Sequence, residues 1–201
     1  MESIMEWAEY CDAIPDSGTT GLIFDLPRFQ SNFVLDYPTT LQGIINQVAA
    51  SGQASLNIID GKYGVLIDKL RSTPVQIFTP RNSSNFSSSR VYTRRPDALT
   101  VKYIDAGNGF IQSEVIVYDE GFDETTAETF EELVAFSCTN FQQAWRYGRY
   151  MLAQNRLRQE TISITVDFEN LVCTRGDYVK ITQDVMRVGG NPARVKSVIL
   201  T

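Results

Sequence analysis

Apolar residues spaced three and four positions apart predict three helices along the chain. The first spans Ser3 to Cys11, the second begins near Thr39 and ends at Gly52, and the third spans 140–157. Each begins with a hydroxyl residue followed three positions later by an acid or amide, the pattern of a capping box: Ser3 with Glu6, Thr39 with Gln42, Thr139 with Gln142. We therefore expect three capped amphipathic helices.

Two of these helices carry apolar stripes that are expected to face the core. The stripe of the second helix consists of Leu41, Ile44, Ile45 and Val48. That of the third, the more regular of the two, consists of Phe141, Ala144, Trp145, Gly148, Met151 and Leu152. Trp145 is expected to anchor the third helix, because a large aromatic side chain buries more apolar area than any neighbour.

Alternation of apolar and polar residues predicts strands between and after the helices. Asp60-Gly61 is expected to turn a short hairpin, and residues 98–119 form a second hairpin around Ala106–Gly109. Its inward positions are Val101, Tyr103, Val115 and Val117. Further strands are predicted at 74–80, at 82–89 (a strand or bulge packed by Phe86), at 161–168 with Ile162, Ile164, Val166 and Phe168 inward, and at 178–182 after a turn at Gly176-Asp177.

These elements predict an α+β fold with two parts. Residues 1–72 form a small helix-and-hairpin subdomain, and residues 73–201 form a β-rich barrel or sandwich flanked by the helix 140–157. The chain ends on an apolar strand-like stretch, so we expect it to be an internal segment of a longer protein.

Composition removes several classes of function. The chain has 201 residues, a net charge of −6 and no histidine. The negative charge argues against nucleic acid as the main partner, because phosphate binding needs a basic face. Without histidine, serine and cysteine triads and zincin-type zinc sites are excluded. Three separated cysteines, Cys11, Cys138 and Cys173, favour buried free thiols over a zinc site or disulfide framework.

An acidic stretch, Asp119 to Glu132, contains seven acidic residues and no basic one. A calcium site is one interpretation, but the spacing matches no EF-hand loop. A pair of catalytic carboxylates, as in glycosidases, is another, although nothing in the sequence sets their separation. A solvated acidic loop and strand is the structural alternative. We predict no metal, cofactor or catalytic residue here.

Two further motifs have a functional and a structural interpretation. Arg146, Arg149, Arg156 and Arg158, with Tyr147 and Tyr150, could form an RNA-binding face, or the arginines could cover apolar surface and pair with the acidic stretch. Arg175-Gly176-Asp177 spells an integrin-binding tripeptide, but it falls where a turn before a strand is needed. In both cases the net charge and the position favour the structural interpretation.

Several segments resemble one protein family. Phe78–Asn82, 116–133, 143–161 and 171–182 are similar to segments of the tail tip, or central tail hub, proteins of long-tailed phages, the host-specificity family of lambda-like tails. The stretch 33–68 also resembles that family, so the resemblance extends from about Phe33 to Thr182.

The resemblance implies a structural component of the virion tail rather than an enzyme. Such proteins form trimers that close the distal end of the tail tube, contact distal tail and tape-measure proteins, and connect to receptor-binding parts. DNA would pass their channel only transiently, with the acidic stretch 119–132 in a channel-facing position, and no membrane binding is implied. Folding in the bacterial cytoplasm would precede assembly. A tail-associated glycan hydrolase and a stand-alone carbohydrate- or protein-binding β domain remain the alternatives.

Overall fold

The computed structural model describes residues 2–16, 25–59, 61–90, 95–168, 172–183 and 188–199. It contains three helices: α1 (Glu2–Asp12), α2 (Leu41–Ser51) and α3 (Phe141–Leu157). The strands are β1 (Ala54–Ile59), β2 (Lys62–Ile67), β3 (Gln76–Phe78), β4 (Ser84–Arg90), β5 (Ala98–Asp105), β6 (Ile111–Tyr118), β7 (Phe130–Val134), β8 (Glu160–Thr165), β9 (Tyr178–Gln183) and β10 (Val188–Arg194). The predicted α+β class is confirmed.

The chain divides into two compact units that differ from the predicted halves. The first comprises Met1–Ile67 and Thr93–Arg158, and the second comprises Asp68–Tyr92 and Gln159–Thr201. The chain crosses between the units after residues 67, 92 and 158. The predicted boundary near residue 72 therefore lies close to only the first of these crossings. The helix α3 belongs with the N-terminal elements rather than with residues 159–201, because its partners in packing and hydrogen bonding lie in the first unit.

In the first unit, α3 covers one face of a three-stranded sheet with the order β6-β5-β7. β5 and β6 are the predicted hairpin, antiparallel from Ala98↔Tyr118 to Asp105↔Ile111, and β7 adds parallel to β5. The four predicted inward residues are all buried, as are their partners in this core: Leu99, Val101, Tyr103, Val115, Val117, Ala135, Cys138, Ala144 and Leu152. Trp145 is partly buried and packs against this cluster.

The close contact of α3 with the sheet depends on a glycine. A Cβ atom at Gly148 would lie 2.8 Å from Val117 Cγ2 and 2.9 Å from Val101 Cγ2. Both valines are buried, so neither can move away. Gly148 therefore sets how closely the helix axis approaches the sheet.

The same unit contains the first hairpin and the two shorter helices. β1 and β2 pair antiparallel from Ala54↔Ile67 to Ile59↔Lys62. The predicted turn residue Asp60 lies outside the described residues, whereas Gly61 has the positive φ of 72° that such a turn uses. α1 is fixed to the end of α2 by the Trp7 indole, which donates to the Gly52 carbonyl over 3.1 Å.

The predicted stripe of α2 is largely uncovered. Among the residues of this helix only Ala49 is buried, and Leu41 and Ile45 are exposed. The expectation that the whole stripe faces the core therefore holds only in part: Ile44 and Val48 are half-buried and β1 packs against the helix, while Leu41 and Ile45 remain exposed. The caps also differ, since Thr40 rather than Thr39 caps α2, and Asn140 rather than Thr139 caps α3.

The second unit contains two open sheets, β10-β9-β3 and β4-β8. Phe78, Val179 and Ile181 from the first of these sheets cluster with Cys173 and with Phe86, Ile162 and Ile164 from the second. This packing is sandwich-like, and no sheet closes into a barrel within the described ranges. β8 pairs with β4 rather than with β9, and Phe168 lies beyond β8 and is exposed, so its predicted inward orientation is wrong.

Candidate functional site

The arginines of α3 bind groups of their own unit. Arg146 Nη2 donates to the Arg28 carbonyl over 2.6 Å, and Arg149 Nη1 donates to the Tyr118 carbonyl over 2.9 Å. Arg156 contacts two carboxylates, Asp119 at 2.9 Å and Glu120 at 2.7 Å. Because these guanidinium groups are engaged inside the unit, the geometry supports the packing interpretation rather than an RNA-binding face.

Burial changes the electrostatics of Arg146 but not its charge at neutral pH. Desolvation, and then the nearby Arg28 cation, lower the pKa of Arg146 to about 10. The guanidinium group therefore remains protonated under physiological conditions. Its neighbour Arg28 lies over the Tyr10 ring, 4.4 Å from the centroid, which places this second cation on an aromatic face.

The acidic stretch is an ordered loop held by hydrogen bonds. Asp123 accepts from the backbone N–H groups and hydroxyls of Thr125 and Thr126, and these bonds lower the pKa of its carboxyl group. Asp97, which directly precedes β5, accepts three hydrogen bonds that close the loop, from Glu128 N and from Thr129 N and Oγ1. Glu132 pairs with Lys102.

Its carboxylates are therefore dispersed rather than convergent. In the part of the chain that the structure describes, no group of three or more His, Cys, Asp or Glu residues is placed to hold a metal ion. A cavity of about 100 Å³ lies in the first unit, lined by Gln47, Ala50, Ser51, Ala135, Phe136, Cys138, Gln143 and Tyr147. None of these lining residues is acidic, so this cavity does not bring together the carboxylate pair of a glycosidase.

We expect the Asp119–Arg156 ion pair to stabilise the first unit. The Asp119 side chain is 10% exposed, so Asp119→Asn should lower the free energy of unfolding by about 1–2 kcal/mol, measured by urea denaturation. The control is Glu120→Gln, which alters the other carboxylate on Arg156 but at a side chain that is 72% exposed, where screening leaves little effect. Equal losses for the two variants would contradict this assignment.

The tripeptide Arg175-Gly176-Asp177 is part of a turn. Asp177 Oδ2 accepts from Thr174 N over 2.7 Å, and Asp177 N donates to the Thr174 carbonyl. Gly176 has a φ of 92°, which favours glycine, and its N–H donates to Val195. The aspartate is thus engaged in closing the turn, as the structural interpretation requires.

The three thiols are poor nucleophiles in this fold. Burial, followed by the Asp12 carboxylate, raises the pKa of Cys11 to about 11. Burial also raises the pKa of Cys138 and of Cys173. All three are free and remain protonated at neutral pH, where only the thiolate would react.

The sequence did not reveal the role of Gln143. Its side-chain amide is buried and forms two hydrogen bonds with the backbone of Gln30. Nε2 donates to the Gln30 carbonyl over 2.9 Å, and Oε1 accepts from the Gln30 N–H over 3.1 Å. The extended segment 25–37, which we name the strap, is also bonded to Ser137 and Thr139. The only signal in the sequence was a glutamine beside the apolar stripe of α3. Because its partner lies 113 residues away, local spacing could not identify this contact.

None of the helices in the described ranges has the length and hydrophobicity that crossing a bilayer requires. The chain is similar in fold to the crystal structure of the tail protein from Neisseria meningitidis MC58, with a TM-score of 0.61 and 18% identity. The match covers 84% of this chain and 52% of that chain, so the chain spans about half the length of that protein. The model of the family Phage-tail_3, described as "Putative phage tail protein", matches residues 40–198. Since this match includes most of its length, the chain belongs to that family of phage tail proteins.

Proposed function

We propose that the chain is a structural part of the hub at the distal end of a phage or prophage tail. In this role it forms a trimer within the full-length protein, closes the tail tube, and links the tube to receptor-binding parts. It contacts distal tail and tape-measure proteins, and DNA passes it only transiently. It requires no cofactor, catalyses no reaction and binds no membrane. Folding takes place in the bacterial cytoplasm, before assembly into the virion.

The large amount of apolar surface supports a role in assembly. Among the described residues, 27 large hydrophobic side chains are exposed, whereas 17 hydrophobic residues are buried. Single exposed apolar residues are normal on any protein, but here some are adjacent, such as Phe33, Val34 and Leu35, and contiguous exposed apolar surface is typical of sites that other chains cover. This excess of exposed over buried hydrophobic residues is the observation on which the proposal rests.

The charge of the chain fits a channel component that does not retain DNA. With a net charge of −6, it repels phosphate groups at a distance. The arginines of α3, which could have offset this locally, are engaged with Arg28, Tyr118 and Asp119. A channel surface that weakly repels phosphate groups would let DNA move past without binding.

The proposal is tested on the full-length protein. Light scattering at micromolar concentration should give the mass of a trimer, and immunogold labelling of intact particles should place the protein at the distal tip of the tail. A strictly monomeric protein that binds a carbohydrate or protein ligand by itself would contradict the proposal and favour a stand-alone binding domain.

A further inference from the structure

One arginine of the strap has a guanidinium group that the described part of the protein does not engage through its N–H donors. Among the described residues, the Arg28 side chain forms no hydrogen bond and no ion pair, and its Nε atom is buried without an acceptor. The two Nη atoms are not buried in this way, so they form an open edge of the group. A guanidinium group is a planar fork of N–H donors, and it binds carboxylate and phosphate oxygens in pairs.

The orientation of Arg28 is fixed by its backbone and by its side chain. Its backbone N–H donates to the Ala13 carbonyl over 3.0 Å, just beyond α1, and its own carbonyl accepts from Arg146. Its side chain lies over the Tyr10 ring, 4.4 Å from the centroid. A guanidinium group that is already held in place loses little conformational entropy when it binds a ligand. The open edge of Arg28 is therefore preorganised.

A second cation lies beside this group. Arg146 Nη2 donates to the Arg28 carbonyl over 2.6 Å, and burial, followed by the Arg28 cation, lowers the pKa of Arg146. Two like charges in partly buried positions repel each other, and an anion close to both offsets this repulsion. Asp12, the acid at the end of α1, is exposed, and within the described ranges no ion pair joins it to Arg28. The chain thus carries a local concentration of positive charge, although its net charge is −6.

We propose that Arg28 and Arg146 form a binding site for an oxyanion, that is, a carboxylate or a phosphate group. The two Nη atoms of Arg28 donate to two oxygens of the ligand. Arg146, whose Nη2 atom is engaged with the Arg28 carbonyl, contributes its positive charge. The ligand is either a free ion or the carboxylate of a side chain from another protein, since both present the same pair of oxygens. This inference goes beyond the proposed hub and does not depend on it.

Inorganic phosphate is the probe for this site. Titrated into the full-length protein at neutral pH and constant ionic strength, it should give a saturable calorimetric isotherm. Arg28→Gln removes the charge and the fork, so the dissociation constant for phosphate should rise at least about tenfold. Arg28→Lys keeps the charge without the fork and should give an intermediate value. The matched control, Arg95→Gln, removes the same charge at an exposed position before β5 and should leave the dissociation constant unchanged.

Urea denaturation separates a binding role of Arg28 from a structural one. In chloride buffer without phosphate, Arg28→Gln should unfold at about the same urea concentration as the wild type, because the lost contact with Tyr10 is offset by the relief of repulsion with Arg146. A variant that is clearly less stable in chloride, yet binds phosphate as tightly as the wild type, would identify Arg28 as a purely structural residue and overturn the proposal.

Incorporation into tails distinguishes the two sources of the ligand. If the full-length Arg28→Gln protein binds phosphate weakly and also fails to enter tails, the site accepts a carboxylate of another tail protein. If it binds phosphate weakly but enters tails normally, the ligand is a free ion. A wild type that does not bind phosphate would refute the site. The proposed hub would stand in that case, because it concerns the position of the protein in the tail.

Discussion

Gly148→Val is expected to lower the free energy of unfolding by about 3 kcal/mol, at the upper end of the usual cost of overpacking a core. The new Cβ atom alone would lie within 3.0 Å of Val117 and Val101, whose side chains are almost completely buried. Two further methyl groups would have to enter the same space. Either α3 moves off the sheet, opening cavities beside Leu152, or the valines leave their preferred rotamers. The measurement is urea denaturation followed by circular dichroism.

Gly148→Ala and Gly43→Ala provide the matched controls. Replacing a helical glycine by alanine ordinarily stabilises a helix by about 1 kcal/mol. At Gly43, in the first turn of α2, the new methyl group would lie 3.1 Å from Thr40 Oγ1, which caps the helix, and 3.2 Å from Thr39 Oγ1. This crowding should offset the helical gain and leave the change close to neutral. At Gly148 the contact with the valines should outweigh the gain. A stabilised Gly148→Ala protein would show that α3 is free to shift on the sheet.

Gln143→Ala is expected to cost about 2–3 kcal/mol, because it removes two hydrogen bonds and leaves the peptide groups on either side of Gln30 without their partners. The effect should spread along the strap. The preceding residue, Phe29, is buried, and its ring centroid lies 6.2 Å from that of Tyr10. Phe29 should therefore become more mobile together with the strap. Hydrogen exchange of the Gln30 and Asn32 amides should accelerate in the variant, while exchange within β5 and β6 should change little.

The neighbouring Gln142 is the natural comparison. Its Nε2 atom donates to Asp25 over 2.7 Å, but this bond is exposed to solvent. Gln142→Ala should therefore change stability by less than about 0.5 kcal/mol. If the two glutamine variants were equally stable, the strap would owe its position to the rings of Phe29, which contacts Tyr10, and of Phe33, whose centroid lies 5.2 Å from that of Phe136. The amide of Gln143 would then contribute little.

Elements that depend on local spacing were predicted well. The hairpin β5–β6 follows its alternation, and its four inward residues are buried as expected. The helix 140–157 also agrees with the structure to within one residue. The capping residues were less predictable. At each helix start two adjacent residues, Thr39 and Thr40 or Thr139 and Asn140, have side chains that can accept from a backbone N–H of the first turn, and the backbone geometry decides which one caps the helix.

What failed were predictions that require knowledge of distant partners. The stripe of α2 has the right period for a buried helix, but spacing alone cannot show whether another element covers Leu41 and Ile45. Alternation in 161–168 correctly indicated a strand, yet not that it would pair with β4, roughly 75 residues earlier, nor that it would end before Phe168. The role of Gln143 likewise depends on a segment far away in the sequence.

The interlaced composition of the two units has a consequence for dissecting the protein. Each unit is built from two separate stretches, 1–67 with 93–158 and 68–92 with 159–201. Dividing the chain at residue 72 would therefore leave neither unit complete. The first unit would be separated into one piece with the strap and another with α3, and the second unit would lose residues 68–72. On the ribosome, the first unit cannot close until α3 has emerged, by which time most of the chain has been translated. Expression of either half alone should yield aggregation-prone material, so deletions must remove residues 68–92 and 159–201 together.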